Sequence, residues 1–147
     1  MKIVQTRDTL SGIYLDAIRI RHQVFVVEQG VPLEREIDKD EARCIHFVLY
    51  SEKKEPCGTV RLLPLDNGKM KLQRMAILQN FRQQGLGNHL VKEAEEFTKN
   101  QGYNTILLGA QETAVNFYSK LGYEIYGEPF EDAGMPHLHM RKKMSQS

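Results

Sequence analysis

The sequence predicts one mixed α/β domain, residues 1–147, with a mixed, mostly antiparallel central sheet flanked by helices. Three observations lead there. The β-branched and aromatic runs 44–51 and 58–65 are followed by a third run, 69–78, across the hairpin signal Asp66-Asn67-Gly68. After residue 84 the apolar spacing switches to a helical period. No repeat, low-complexity stretch or Pro/Gly/Ser-rich linker divides the 147 residues, a length that fits one core.

Taken in order, residues 2–6 (KIVQT) read as a short strand. From Asp8 to about Val27, the positions Leu10, Ile13, Tyr14, Ala17, Ile18, Val24 and Phe25 recur at helical spacing, with Asp8 or Thr9 as the expected cap. Gly30 and Pro32 stop that helix, and the charged run 33–43 (LEREIDKDEAR) reads as a loop. The strands 44–51, 58–65 and 69–78 form an antiparallel meander. Leu86, Leu90, Val91, Ala94 and Phe97 mark a helix ending near Gly102. A buried strand at 104–109, a helix from Thr113 to Leu121 closed by Gly122, and strands near 123–128 and 137–144 complete the chain. The helix after residue 84 is placed to connect parallel strands.

Composition narrows the function. Hydrophobic residues make up 41% and charged residues 27%, as in ordinary soluble domains. The formal net charge of +1 supplies no global field towards nucleic acid or anionic membrane, and no binding to either is expected. No run approaches the ~18 apolar residues that span a bilayer, and the expected location is the cytoplasm. Cys44 and Cys57 are too few for a disulfide scaffold and form no CxxC pair, so reduced thiols are expected. His137 and His139 share a strand face by period two, but with only Cys44 and His46 as further ligands no metal site is expected.

The central feature is Arg82-Gln83-Gln84-Gly85-Leu86-Gly87-Asn88, set between a strand and a helix. Gly85 and Gly87 permit positive φ and close approach of a ligand. The unpaired N–H groups of the next helical turn, with the helix dipole, suit a pyrophosphate, and Arg82 can add a charged contact. A P-loop is excluded because GxxxxGK[ST] does not occur. A dinucleotide fingerprint is excluded because position 90 is Leu90 rather than glycine.

The stretch from Arg74 to Gly87 resembles the acetyl-CoA signature of the GNAT acetyltransferases, R/Q-x-x-G-x-G/A after a hydrophobic strand. Ala114-Val115-Asn116-Phe117-Tyr118-Ser119-Lys120-Leu121-Gly122-Tyr123 is similar to that family's later A-x-x-F-Y-x-K-x-G-F/Y motif. Residues 21–32 (RHQVFVVEQGVP) and 130–137 (FEDAGMPH) resemble the small bacterial YjcF/ElaA-like members. The resemblance runs nearly end to end and implies a GNAT fold, acetyl-CoA as co-substrate and no metal. It implies transfer of an acetyl group to the amine of a small-molecule acceptor by direct attack in a ternary complex, in a monomer or homodimer.

The resemblance also assigns residues. Backbone groups of Met75, Ala76 and Ile77 would meet the pantetheine arm, with an N–H near Met75 or Ala76 polarising the thioester carbonyl. The loop Arg82, Gln83, Gln84, Gly85, Leu86, Gly87 and Asn88 would hold the pyrophosphate, and Asn116 would touch the CoA arm. Tyr118 matches the position of a general acid for the departing thiolate, or packs beside Phe117. Relatives often carry Glu near Gln73, which cannot accept a proton, so Glu28, Glu112 and His137 stand as alternative bases. Phe25, Glu28, Gln29, Arg74, Gln111 and His137 would line the acceptor pocket, Glu28 as counter-charge and Arg74 as anchor for an acidic or phosphate group. Alternatively, Glu28 and Arg74 pair with each other. The acidic run Glu34, Glu36, Asp38, Asp40 and Glu41 reads either as a solvated loop or as an attractor for a cationic amine. Two other readings are a CoA-binding regulatory module without chemistry and an autoinducer-synthase-like acyltransferase, the latter requiring a basic carrier-protein surface that the sequence does not show.

Overall fold

The structure, a computed structural model, describes residues 1–145. Its strands are β1 (Lys2–Thr6), β2 (Ile45–Tyr50), β3 (Pro56–Pro64), β4 (Lys69–Ile77), β5 (Thr105–Gln111), β6 (Glu124–Asp132) and β7 (Met135–Lys143). The helices are α1 (Gly12–Arg21), α2 (Leu33–Glu36), α3 (Leu86–Asn100) and α4 (Val115–Lys120). The seven strands form one sheet in the order β1-β2-β3-β4-β5-β7-β6. Among the described residues only β4 and β5 run parallel; the remaining pairs are antiparallel. The mixed, mostly antiparallel sheet expected from the sequence is therefore present.

Strand alternation feeds two cores. Phe47 of β2 packs with Leu86, Leu90, Val91 and Ala94 of α3 on one face. Its neighbour Val48 packs with Ala17, Ile20 and Val24 on the other. Consecutive residues point to opposite faces, so β2 reads as a continuous apolar run because both its faces are covered.

Four expectations are corrected. The first helix is capped by Ser11, whose side chain accepts from the Tyr14 N–H, rather than by Asp8 or Thr9. Asp8 Oδ1 instead accepts from the Leu10 N–H in a preceding turn, which leaves Leu10 94% exposed. Beyond Arg21 the helix continues to Glu28 as a wider π-helical segment, His22–Glu28. The charged run 33–43 is not a solvated loop: it contains α2 and a tight turn at Glu41–Arg43, and buries Glu36 and Glu41. The final strands are longer than the sequence suggested, because Ala133 and Gly134 adopt φ of 51° and 75° in a close turn joining β6 and β7.

Candidate active site

The cleft originates where β4 parts from β5. Their parallel pairing runs from Lys69 opposite Thr105 to Leu72 opposite Leu108 and stops there. Beyond that point Gly109, Ala110 and Gln111 pair with β7, while β4 stays on β3 as far as Ile77 opposite Gly58. The break coincides with a bulge. Thr59 faces Ala76 and Arg61 faces Gln73, which leaves one extra residue on β4, and Arg74 takes φ 58° to accommodate it. The β4 edge from Gln73 to Ile77 thus faces no strand on the β5 side. Such an edge can hydrogen-bond an extended ligand arm.

A cavity of about 580 Å³ occupies the parting. Phe25, Gln29, Arg74, Gln111 and His137, five of the six residues expected to face the acceptor, line it together with Met75 and Tyr118. Glu28 does not line it. It forms an ion pair with Arg82 at 2.9 Å, and Arg82 also donates through Nε to the Ile77 carbonyl at 2.8 Å. The Glu28–Arg74 pairing is overturned: Arg74 lies 3.2 Å from Asp38 and 3.9 Å from Glu36.

The loop before α3 has the backbone shape of an anion site. Gln83 and Gly85 take φ of 63° and 74°, and no side chain caps the helix. The first-turn donors of a 15-residue helix are therefore left open beside the end of β4. The second glycine has another role. A Cβ at Gly87 would stand 3.1 Å from the Phe117 ring, so Gly87 lets α4 pack against α3.

Tyr118 is 7% exposed and packs edge-on against Phe117 and Tyr123, at 4.9 and 5.8 Å between centroids. Its hydroxyl makes no hydrogen bond among the described residues, and the residue lines the cleft. Burial pushes its pKa up to about 12, which keeps the proton on the oxygen at neutral pH. His137 points Nδ1 at the Met135 carbonyl, 2.9 Å away, and its ring meets Phe130. Glu112 and Asn116 are exposed, and neither lines the cavity.

Beneath the cleft lies a charge network that the sequence reading missed. Arg21 binds Glu36 and reaches Glu41 at 2.9 Å. Arg61 bridges Asp38 at 2.7 Å and Glu41 at 2.8 Å. Arg74 shares Asp38. Three arginines thus meet three carboxylates. Burial opposes ionisation of Glu41, yet hydrogen bonds and charge from Arg21, with further help from Arg61, hold its carboxyl well below the usual range. Asp38 is lowered in the same way by Arg61 and Arg74, against burial. The acidic run therefore neutralises buried arginines. The available signal was the period-two placement of Arg61 beside apolar strand neighbours, which puts a cation inside and demands a partner.

A family profile described as an acetyltransferase (GNAT) domain matches residues 16–144. The chain belongs to the GNAT acetyltransferase family. The N-acetyltransferase YjcF of Bacillus subtilis, itself described as uncharacterized, is 42% identical over 128 residues, covering 86% of this chain and 90% of that protein. The ElaA structure of Escherichia coli superposes with a TM-score of 0.82 at 26% identity, covering 96% of this chain and 99% of that one. An aminoglycoside 6'-N-acetyltransferase complexed with coenzyme A shares the fold, with a TM-score of 0.75 at 18% identity over 99% and 98% of the two chains. In this GNAT domain the parted strands and Tyr118 line one cleft, and the uncapped α3 terminus borders it through the approach of Gly87 to Phe117. Among the described residues no helix is long and apolar enough to cross a membrane.

Proposed function

We propose that the chain transfers an acetyl group from acetyl-CoA to the amine of a small-molecule acceptor in a ternary complex. The observation that carries this reading is the parting of β4 from β5 above Leu72 and Leu108, beside the uncapped start of α3 and with Tyr118 opening into the gap. A pantetheine arm fits along the free edge at Met75, Ala76 and Ile77, and the pyrophosphate fits the backbone donors between Gln83 and Asn88. An N–H near Met75, re-aimed by the Arg74 bulge, suits the thioester oxygen as charge develops on it. The neutral amine adds to the carbonyl carbon, and the C–S bond breaks as the tetrahedral intermediate collapses. The nitrogen loses one proton and the departing sulfur gains one, and Tyr118 stands protonated to supply the latter. Of the three base candidates, only His137 lines the cavity.

The test is release of free thiol from acetyl-CoA with a panel of primary amines, analysed with both substrates varied. Intersecting lines support the ternary complex. CoA binding with no thiol release from any amine favours a regulatory CoA-binding module, for which Gln73 in place of a carboxylate is the supporting observation.

A further inference from the structure

Resting on the transfer reading, one wall of the same cleft indicates what else the acceptor carries. Lys71, Gln73 and Arg74 of β4 all line the cavity. Each presents a hydrogen-bond donor there with no partner among the described residues. Lys71 makes no hydrogen bond or ion pair among the described residues. Gln73 Oε1 accepts from Arg61 Nε at 3.1 Å and from Nη2 at 2.9 Å. Because a guanidinium only donates, this fixes the amide orientation and leaves Nε2 with both its N–H groups unengaged. Arg74 uses Nε and Nη2 on Glu36, Arg35 and Asp38, and its Nη1 makes no hydrogen bond among the described residues. None of these three nitrogens is sealed away from solvent.

The charge balance points the same way. The acidic side chains at the cavity are already engaged: Glu36 by Arg21, and Asp132 by Arg35 at 3.0 Å. Asp38 is divided between Arg61 and Arg74. Lys71 remains uncompensated. Arg74 is strained electrostatically, since burial and the neighbouring Arg61 and Arg21 lower its pKa. Lys71, Gln73 and Arg74 bring donors and spare positive charge to this wall, which fits an oxyanion; Glu36 Oε2 is without a partner among the described residues but is closed off from solvent.

We propose that the acceptor amine also carries an anionic oxygen group, a carboxylate or phosphate, which Lys71, Gln73 and Arg74 hold. Lys71 and Gln73 are then specificity-determining residues. The position at which relatives often carry a glutamate here supplies donors to the substrate instead of a base.

The experiment uses matched acceptors: an α-amino acid and its amide, and an aminoalkyl phosphate and the corresponding amino alcohol. Thiol release gives kcat/KM, and calorimetry gives binding to the protein–CoA complex. The anionic member of at least one pair is expected to exceed its neutral partner tenfold or more, and the pair that shows it identifies the oxyanion. Lys71→Met and Gln73→Glu are expected to remove that ratio through KM while CoA affinity stays within twofold. Gln73→Glu keeps an oxygen facing Arg61, so its fold is expected to survive. Lys71→Gln is the second variant should Lys71→Met lower the thermal midpoint. Equal kcat/KM and equal binding for anionic and neutral partners would overturn the proposal, as would an anionic preference that persists in both variants. Anion-selective binding without thiol release from any acceptor would leave this site standing and remove the transfer reading. Transfer to neutral amines without anionic preference would do the reverse.

Discussion

Arg82 Nη2 donates to Glu28 Oε1 at 2.9 Å, which ties the loop before α3 to the last turn of the π-helical segment. The residue expected to meet the pyrophosphate is therefore held by the residue expected to meet the amine.

If Arg82 meets the donor phosphates as proposed, the pairing makes Glu28 their competitor. Both side chains are partly exposed, so the pair is worth about 0.2–1 kcal/mol. Glu28→Gln is expected to tighten CoA binding about two- to fivefold, most clearly at low salt. If Glu28 were instead the base, the same variant would lose roughly 10²–10⁴ in kcat. CoA calorimetry and kcat on one preparation separate the two roles.

Tyr118→Phe keeps the ring among Phe117 and Tyr123 and removes only the hydroxyl, which has no hydrogen-bond partner among the described residues. Packing, and hence the thermal midpoint, should survive, and CoA affinity should change little. If the hydroxyl protonates the departing thiolate, kcat falls by ~10²–10⁴. Full kcat in the variant would assign Tyr118 to packing alone.

Gly87 has two neighbours to satisfy, the expected phosphates and the Phe117 ring. Gly87→Asp is expected to weaken CoA binding at least tenfold, about 1.4 kcal/mol. Gly87→Ala isolates the steric part, because its methyl group meets Phe117 at 3.1 Å without adding charge. A smaller loss with Ala than with Asp locates the anion at this turn. Equal losses would mean that displacement of α4 explains both.

Much of the layout was legible in the sequence because period and turn chemistry are local. The Asp66-Asn67-Gly68 signal produced the β3–β4 hairpin, with Asn67 and Gly68 at φ of 62° and 75°. The alternation of β4 placed Met70 and Leu72 inward. What the sequence could not show depends on contacts between distant segments. Arg21, Glu36, Glu41 and Arg61 lie on four separate elements, and no local pattern announces that they meet. The acidic run therefore looked solvated, although Glu36 and Glu41 are buried. The alternative pairing of Arg74 with Glu28 missed Asp38 and Glu36 for the same reason. Helical spacing also continues smoothly through Arg21, and nothing in it marks the change to a π-helical turn at His22.

Arg74 is the outermost arginine of the buried network, and this position separates its two possible effects. If it anchors the acceptor, Arg74→Ala raises acceptor KM by roughly tenfold while CoA affinity is kept, because binding energy common to ground and transition states is lost. The stability change should be small, since Asp38 keeps Arg61 and Glu36 keeps Arg21. A lowered thermal midpoint with unchanged KM would make Arg74 a structural partner only. Arg21→Met offers the contrast. It leaves two buried carboxylates short of a partner, and about 3–5 kcal/mol of stability should go with it.

The same network makes stability depend on pH through His46. Its Nε2 lies 2.8 Å from the Glu41 carbonyl, so that nitrogen carries the proton. Nδ1 is then bare, buried and without a hydrogen-bond partner among the described residues. Protonating it would place a cation in a closed site beside Arg21 and Arg61. Burial is the largest cause of a lowered pKa, and both arginines add to it, against the Glu41 carbonyl and carboxylate, which pull upward. The folded His46 thus binds its proton at lower pH than the unfolded one, whose pKa is about 6.5. The unfolded state binds more protons between those values, so this contribution is fully present above about 6.5 and is lost as pH falls towards the folded pKa. Glu41 and Asp38 act lower, because unfolded carboxylates titrate near 4, and their contribution persists throughout this window. The thermal midpoint should therefore fall between pH 7.5 and 5.5, before the carboxylates contribute. His46→Gln retains a donor for the Glu41 carbonyl but cannot titrate, so it should flatten that slope even if it lowers the midpoint overall. A slope unchanged in His46→Gln would assign the pH dependence to another group.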